Sequence, residues 1–194
     1  QGQPIIRCWG RNDRGQCGTN NSTTPVGEPQ NIAIPGALRI VSMALEFNHT
    51  CASVEMTGIE QPERVYCWGD NSDGKLGLGP AGPGSTHTPT LVLDAITGNT
   101  MQRVEQAIVA GPEHTCGNLG GNDAMAQGYF VGLACWGKNN GGAIGQNPNM
   151  SSSNVARDSR FVVIESAPDQ NARTPRLGGR TLAANSQTTC FISH

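Results

Sequence analysis

The sequence predicts an all-β protein built from three copies of one unit. A phrase of eleven residues that begins Cys-Trp-Gly and ends in Gly recurs at residues 8–18, 67–77 and 135–145. A second phrase, ending in Thr-Cys, recurs at Cys51, Cys116 and Cys190. Self-similarity at a spacing of roughly 60 residues indicates a supersecondary unit that packs against its neighbours. We predict a single array over residues 1–194, with repeats at about 8–66, 67–134 and 135–194 and with residues 1–7 as a strand completing a split unit.

The composition is typical of short strands joined by tight turns. The 194 residues include 26 Gly and 12 Pro, and only 14% are charged. No apolar run is long enough to cross a bilayer as a helix, so we expect no membrane span. The net charge of -2 provides no basic surface of the size that nucleic acid requires, and we expect no such partner.

The cysteine content indicates an oxidising compartment. Seven cysteines in 194 residues exceed what cytosolic proteins usually contain, and most stand at corresponding points of the repeat. We therefore expect a secreted or extracellular protein. The first residue is Gln1 and no leader is visible, so we interpret the sequence as a processed or trimmed form.

The chain opens with a strand followed by a turn. Residues 4–9 are mostly apolar and β-branched up to Gly10, which predicts a strand with nothing before it to pair with. Residues 12–18 are Gly-rich, and we interpret them as turn geometry rather than a ligand loop. Residues 20–35 are polar with three prolines and should cross the surface, whereas residues 38–45 are again strand-like.

Two predicted hairpins carry a cysteine on each strand. The chain turns after Cys51 and returns at Cys67, 16 residues later, and it turns after Cys116 and returns at Cys135, 19 residues later. Opposed residues of antiparallel strands lie about 4.5–5.5 Å apart, which suits a disulfide. We predict both bonds. The rival interpretation is a zinc site, which needs closer spacing and a fourth ligand.

Other recurring residues have structural interpretations. Cys17 stands where the other copies have Leu76 and Ile144, so we expect a small, buried, free thiol. His49 and His114 recur before the hairpin cysteine, and we expect structural histidines rather than general bases. A tryptophan follows the cysteine in each copy of the phrase, and we expect all three to pack in the core: Trp9, Trp68 and Trp136. We interpret the polar inserts at residues 80–88, 147–160 and 167–179 as loops able to carry specific contacts.

No pattern predicts catalysis, a cofactor or a metal. The acidic residues are scattered, with no two spaced to act on one substrate. Residues 70–74 resemble a calcium loop but lack its closing Glu. Candidate glycosylation sites begin at Asn20, Asn21 and Asn149.

Together the two phrases resemble the repeat of the regulator of chromosome condensation family, from Cys8 to Cys190. The cysteine-bearing form is similar to secreted bacterial members. The resemblance implies a β-propeller of four-stranded antiparallel blades, usually seven, so three repeats make a propeller that is incomplete or assembled between chains. Nuclear members exchange nucleotide on a small GTPase and touch chromatin. No residues here match such a surface, and a guanine nucleotide exchange regulator is the least favoured alternative.

The two ends of the sequence read as complementary halves of one hairpin. The returning strand, at the start of the sequence, contains Ile5, Ile6, Cys8 and Trp9. The outgoing strand, at its end, contains Cys190, Phe191 and Ile192. Three explanations are open: residues of a longer protein complete the strands, Cys8 bonds Cys190 within one chain, or the last strand of one molecule pairs with the first strand of the next. The third is a head-to-tail contact, which yields a ring or a helical filament.

The leading hypothesis is a non-catalytic, secreted structural protein. Its copies would join head-to-tail by strand completion, with a disulfide between Cys190 and Cys8, into an extracellular filament or a multi-chain propeller. The alternative is a fragment of a larger propeller that binds a protein or a glycan. The expected partner under the leading hypothesis is therefore a second copy of the chain.

Overall fold

The computed structural model describes residues 2–22, 25–58, 63–80, 82–92, 104–123, 128–145, 152–163, 182–184 and 189–191. Apart from two short 3-10 turns, at Ser72–Gly74 and Asn140–Gly142, the regular structure in these ranges is all β. The strands are β1 Ile6–Gly10, β2 Val26–Ile32, β3 Ala37–Glu46, β4 His49–Met56, β5 Glu63–Asp70, β6 Ser85–Leu91, β7 Val104–Ala110, β8 His114–Asp123, β9 Gly128–Lys138, β10 Ser152–Val163, β11 Leu182–Ala184 and β12 Thr189–Phe191. No helix in the described part of the chain is long and apolar enough to cross a membrane.

The strands form two complete blades and two half-blades, all antiparallel. The first complete blade has the order β3-β4-β5-β6 and the second has the order β7-β8-β9-β10. The first half-blade pairs β1 with β2, and the last half-blade pairs β11 with β12. The four-stranded antiparallel blades and the incomplete propeller predicted from the resemblance are confirmed.

Each half-blade corresponds to a particular half of a complete blade. Cys8 on β1 begins the same phrase as Cys67 on β5 and Cys135 on β9, which are third strands. The first half-blade therefore consists of a third and a fourth strand. By the same comparison Cys190 on β12 matches Cys51 on β4, a second strand, so the last half-blade consists of a first and a second strand.

Two outer strands lie where the sequence predicted loops, and those two predictions were wrong: residues 80–88 run into β6, and residues 147–160 run into β10. Residues 20–35, predicted to cross the surface, contain the exposed strand β2. An edge strand with solvent on both faces needs no apolar alternation, and β2 is exposed along most of its length. β1 therefore has a partner, which follows it in the chain. The third predicted loop, residues 167–179, lies outside the described residues.

The core lies between successive blades. One apolar cluster joins Trp136 and Ile108 of the second complete blade to Leu76 of the first. Another cluster joins Trp68 of the first complete blade to Ile6 of the first half-blade. Each complete blade thus buries one face against the blade before it, as repeat arrays do.

Candidate functional site: the edges of the two half-blades

The Cys-Trp-Gly phrase folds into the same turn in every copy. A buried Asn side chain accepts a hydrogen bond from the backbone N–H five residues later: Asn12 from Cys17 at 2.9 Å, Asn71 from Leu76 at 3.0 Å and Asn139 from Ile144 at 3.3 Å. The glycine before this turn has a positive φ, 105° at Gly69 and 107° at Gly137, which favours glycine. The phrase is a structural turn, and its asparagine is used within the fold.

Disulfides join the second and third strands of both complete blades. Cys51 lies opposite Cys67, and Cys116 lies opposite Cys135, each with a Cα–Cα distance of 4.1 Å. These are the two pairs predicted from the spacing, and their sulfurs are not available to zinc. In the ranges that the structure describes, no group of three or more His, Cys, Asp or Glu side chains is placed to hold a metal.

Cys8 holds the place of a disulfide cysteine but is a free thiol in the single chain. Its neighbour across the sheet is Gln30 of β2, and the side chain is half-buried. Burial, and next a hydrogen bond and a charge interaction with Cys17, raise the pKa of Cys8 to about 12. Cys17 is itself a buried free thiol, as predicted from its position. The side chain of Cys190 lies outside the described residues, although its backbone on β12 pairs with Ala183.

One edge of β1 is open among the described strands. Among the described strands β1 pairs only with β2, whereas the equivalent strands β5 and β9 are paired on both sides. A Cβ added at Gly69 would lie 2.8 Å from the Cα of His49, and one at Gly137 would lie 2.7 Å from the Cα of His114. At Gly10, which has a similar φ of 102°, such a Cβ would meet nothing within 4 Å. Gly10 therefore has the same backbone conformation as Gly69 and Gly137, but no described strand lies against it.

The three equivalent tryptophans differ in exposure. Trp68 and Trp136 are fully buried, as predicted, but Trp9 is 61% exposed, so the prediction of a core position was wrong for Trp9. Trp68 is buried because it packs on the turn of the preceding phrase, where its Nε1 donates to the Gln16 carbonyl at 3.0 Å. The described residues contain no phrase before Trp9. Nearby on the same segment, Ile6 is buried and Ile5 is exposed.

A chain of buried polar groups connects the two complete blades. His49 Nε2 lies 2.9 Å from Thr115 Oγ1, and that hydroxyl donates to the Lys75 carbonyl at 3.0 Å. Burial, followed by the charge of Lys75, lowers the pKa of His49 to about 3, which keeps the ring neutral. Lys75 Nζ also forms a buried ion pair with Asp70 Oδ2 at 2.8 Å.

The predicted glycosylation sites fall in different environments. Asn20 is exposed and has a φ of 62°. Asn21 is exposed as a residue, but its carbonyl and its Oδ1 each accept a hydrogen bond from Asn12 Nδ2 at 3.1 Å. Asn149, Ile192 and the side chain of Phe191 lie outside the described residues. Both described sites are therefore exposed, and the Asn21 side chain is held by Asn12.

Two solved structures have a similar fold. The crystal structure of human WBSCR16 superposes on 98% of this chain and 46% of its own chain, with a TM-score of 0.61 and 15% sequence identity. The crystal structure of Kap60 bound to yeast RCC1 (Prp20) matches 80% of this chain and 33% of its own, with a TM-score of 0.59 and 19% identity. This chain therefore spans less than half the length of either structure, and the likeness concerns the fold.

The family is shown by the sequence. No curated protein matches the chain. The family model for the regulator of chromosome condensation (RCC1) repeat matches residues 8–53 and 63–117, just over half of the chain. Both matched segments run from a third strand to the second strand of the following blade. The chain belongs to the RCC1 repeat family.

Proposed function

We propose that this chain is a non-catalytic structural module whose copies bind one another head-to-tail, the last half-blade of one copy joining the first half-blade of the next. The observation that carries the proposal is the complementary composition of the half-blades. β11 and β12 are a first and a second strand, and β1 and β2 are a third and a fourth. Side by side they make one four-stranded blade.

The complete blades supply the register of that joint. In both, the cysteine of the second strand lies opposite the cysteine of the third strand. The same register between copies places Cys190 of one copy opposite Cys8 of the next. The open edge of β1 offers backbone N–H and C=O groups for strand addition, and Gly10 leaves the space that the incoming strand fills.

The cysteine chemistry supports an extracellular setting for this assembly. Two intrachain disulfides persist in oxidising compartments and are rare in the cytosol. An interchain bond between Cys8 and Cys190 forms under the same conditions. We therefore propose a secreted module that self-assembles after export, with Asn20 as a site for glycan where the host glycosylates.

Electrophoresis of the oxidised chain tests the proposal. The purified full chain is equilibrated with reduced and oxidised glutathione, then separated with and without thiol, and the cross-linked bands are mapped by mass spectrometry. Bands of two or more copies that collapse with thiol, and a linked peptide pair containing Cys8 and Cys190, are expected. Cys8→Ser should abolish these bands, whereas Cys17→Leu should keep them because Leu76 occupies the equivalent position.

The overturning result is a single-chain band in both lanes. An interchain bond that never includes Cys8 or Cys190 counts against the proposal equally, because the register derived from the complete blades allows only that pair. Either result removes the strand-completion model while leaving the family assignment in place.

A second candidate is a protein-binding arc of a longer propeller. It is favoured by the length comparison, since the chain covers 46% and 33% of the two similar structures, and yeast RCC1 in one of them has Kap60 bound. The size of the natural protein separates the candidates. A polypeptide of about 194 residues on a reducing gel supports head-to-tail assembly, and a much longer one, whose own repeats supply the missing strands, supports the second candidate.

A further inference from the structure

Within the chain, each buried tryptophan packs on a glycine of the preceding blade. A Cβ added at Gly18 would lie 2.9 Å from Nε1 of Trp68, and Gly18 is buried beneath that ring. The same contact recurs one blade later, where a Cβ at Gly77 would lie 3.1 Å from Nε1 of Trp136. Gly77 is also buried. Glycine suits both positions, because a Cβ at Gly18 would press on the indole and a Cβ at Gly77 would press on the indole and, at 2.7 Å, on Val92 Cγ1.

At one end of the described array lies a tryptophan without its glycine, and at the other end lies a glycine without its tryptophan. Trp9 is 61% exposed, with no glycine turn against it among the described residues. Gly145, the equivalent of Gly18 and Gly77, is exposed, with no indole above it in the same part of the chain. Gly145 nevertheless has a positive φ of 68°, close to the 74° of Gly18 and the 67° of Gly77. The receiving turn is therefore formed before any tryptophan occupies it.

We propose that Trp9 of one copy packs on Gly145 of the preceding copy, so that the joint between copies repeats the blade-to-blade contact found inside the chain. This inference rests on the proposed head-to-tail function. It adds a contact beyond the strand pairing: β12 and β1 meet within one composite blade, whereas Trp9 reaches the turn of the blade before it. A strand pair alone is free to twist, and the second contact fixes the angle between copies.

The fixed angle determines the form of the assembly. When the joint between copies has the same geometry as the joints within a copy, successive copies continue one propeller. Two copies provide four complete blades and two composite blades, six in all. Propellers close with typically four to eight blades. Six blades lie within this range, so we expect a closed ring of two copies with two equivalent joints rather than an open filament.

Native mass spectrometry of the oxidised full chain, with and without thiol, tests the inference. The expected species is a two-copy ring that persists when the Cys8–Cys190 bonds are reduced. Trp9→Ala should weaken the reduced dimer at least about tenfold, because an aromatic anchor at an interface commonly contributes that much. Gly145→Asn should do the same, since Asn tolerates the positive φ but places a side chain where the indole lies. Phe47→Asn, which removes another exposed aromatic residue, in the turn between β3 and β4 of the first complete blade, should leave the dimer unchanged.

The outcomes separate this inference from the function on which it rests. Wild-type chains linked through Cys8 and Cys190 into species larger than two copies overturn the ring and retain head-to-tail joining. A dimer that Trp9→Ala and Gly145→Asn leave as tight as wild type overturns the tryptophan contact alone. Monomers without any interchain bond overturn both proposals.

Discussion

A single amide side chain organises each turn of the recurring phrase. Asn71 is 8% exposed; its Oδ1 accepts from the Leu76 N–H at 3.0 Å, and its Nδ2 donates to the Pro83 carbonyl at 2.7 Å. The recurrence of Asn at this position of the sequence indicated a turn residue. Its burial, and its bond to a segment twelve residues away, are visible only in the folded chain.

Asn71→Ala should lower the free energy of unfolding by about 2–3 kcal/mol, because it leaves the buried Leu76 N–H and the Pro83 carbonyl without their partner. Urea unfolding followed by tryptophan fluorescence measures the change. Asn31→Ala on the exposed strand β2 is the matched control and should change stability by less than about 0.5 kcal/mol. Equal effects of the two substitutions would contradict the structural role of Asn71.

Among the elements, the joint between the two complete blades combines apolar packing with buried polar contacts. Trp136 packs on Gly77, and beside it the His49, Thr115 and Lys75 contacts cross from one blade to the other. A buried neutral imidazole must remain unprotonated for the joint to persist. The recurrence of His in the sequence indicated a structural residue, but its partner on the next blade was not predictable from one repeat.

Acid should weaken this joint through His49. The pKa of His49 is about 3 in the folded chain, below the unfolded value near 6.5, so the unfolded chain binds the extra proton in that interval. The stabilisation is complete above pH 6.5 and falls by about 1.4 kcal/mol per pH unit as the pH drops toward 3.

His49→Gln removes this titration, and the dependence of unfolding free energy on pH between 6.5 and 5 should become shallower. The pKa of His114 is also lowered by burial, so part of the slope remains in the variant. Urea unfolding of both proteins at several pH values in that interval measures the difference. Identical slopes would show that His49 is not buried as a neutral ring.

At the scale of the whole molecule, the described blades form an arc with an open strand edge at each end. β1 and β12 each pair on one side only among the described strands, whereas β4, β5, β8 and β9 are paired on both sides. Hydrogen exchange should therefore report assembly at the two ends and not in the middle. The reason is that open-edge amides exchange with solvent, whereas ladder amides are protected.

Peptides covering β1 and β12 should gain protection from hydrogen exchange when the chain assembles under oxidising conditions, and those covering β4 and β5 should not change. Mass spectrometry of the wild type before and after oxidation measures this, with Cys8→Ser as the sample that lacks the covalent joint. Protection confined to one of the two end strands would contradict their pairing with each other.

Local repetition made much of this structure predictable. Equivalent positions in the copies predicted the paired cysteines and the buried Cys17, because a recurring unit imposes a recurring environment. The four-stranded blades were implied by the family resemblance. The outer strand β2 was missed because it is exposed along most of its length and carries no apolar alternation. A pattern of hydrophobicity can reveal only the strands that bury a face.

The sequence by itself determined the repeat, its turns and its two hairpin disulfides, since each depends on residues close together in the chain or equivalent between copies. Only the tertiary structure decided the fate of Trp9, Gly10 and Cys8. The tryptophans equivalent to Trp9 are buried, the glycines equivalent to Gly10 lie against a neighbouring strand, and the cysteines equivalent to Cys8 form disulfides. Trp9, Gly10 and Cys8 themselves do none of these. Burial and pairing are properties of the neighbouring blade, and a residue's own phrase does not specify whether that neighbour is present.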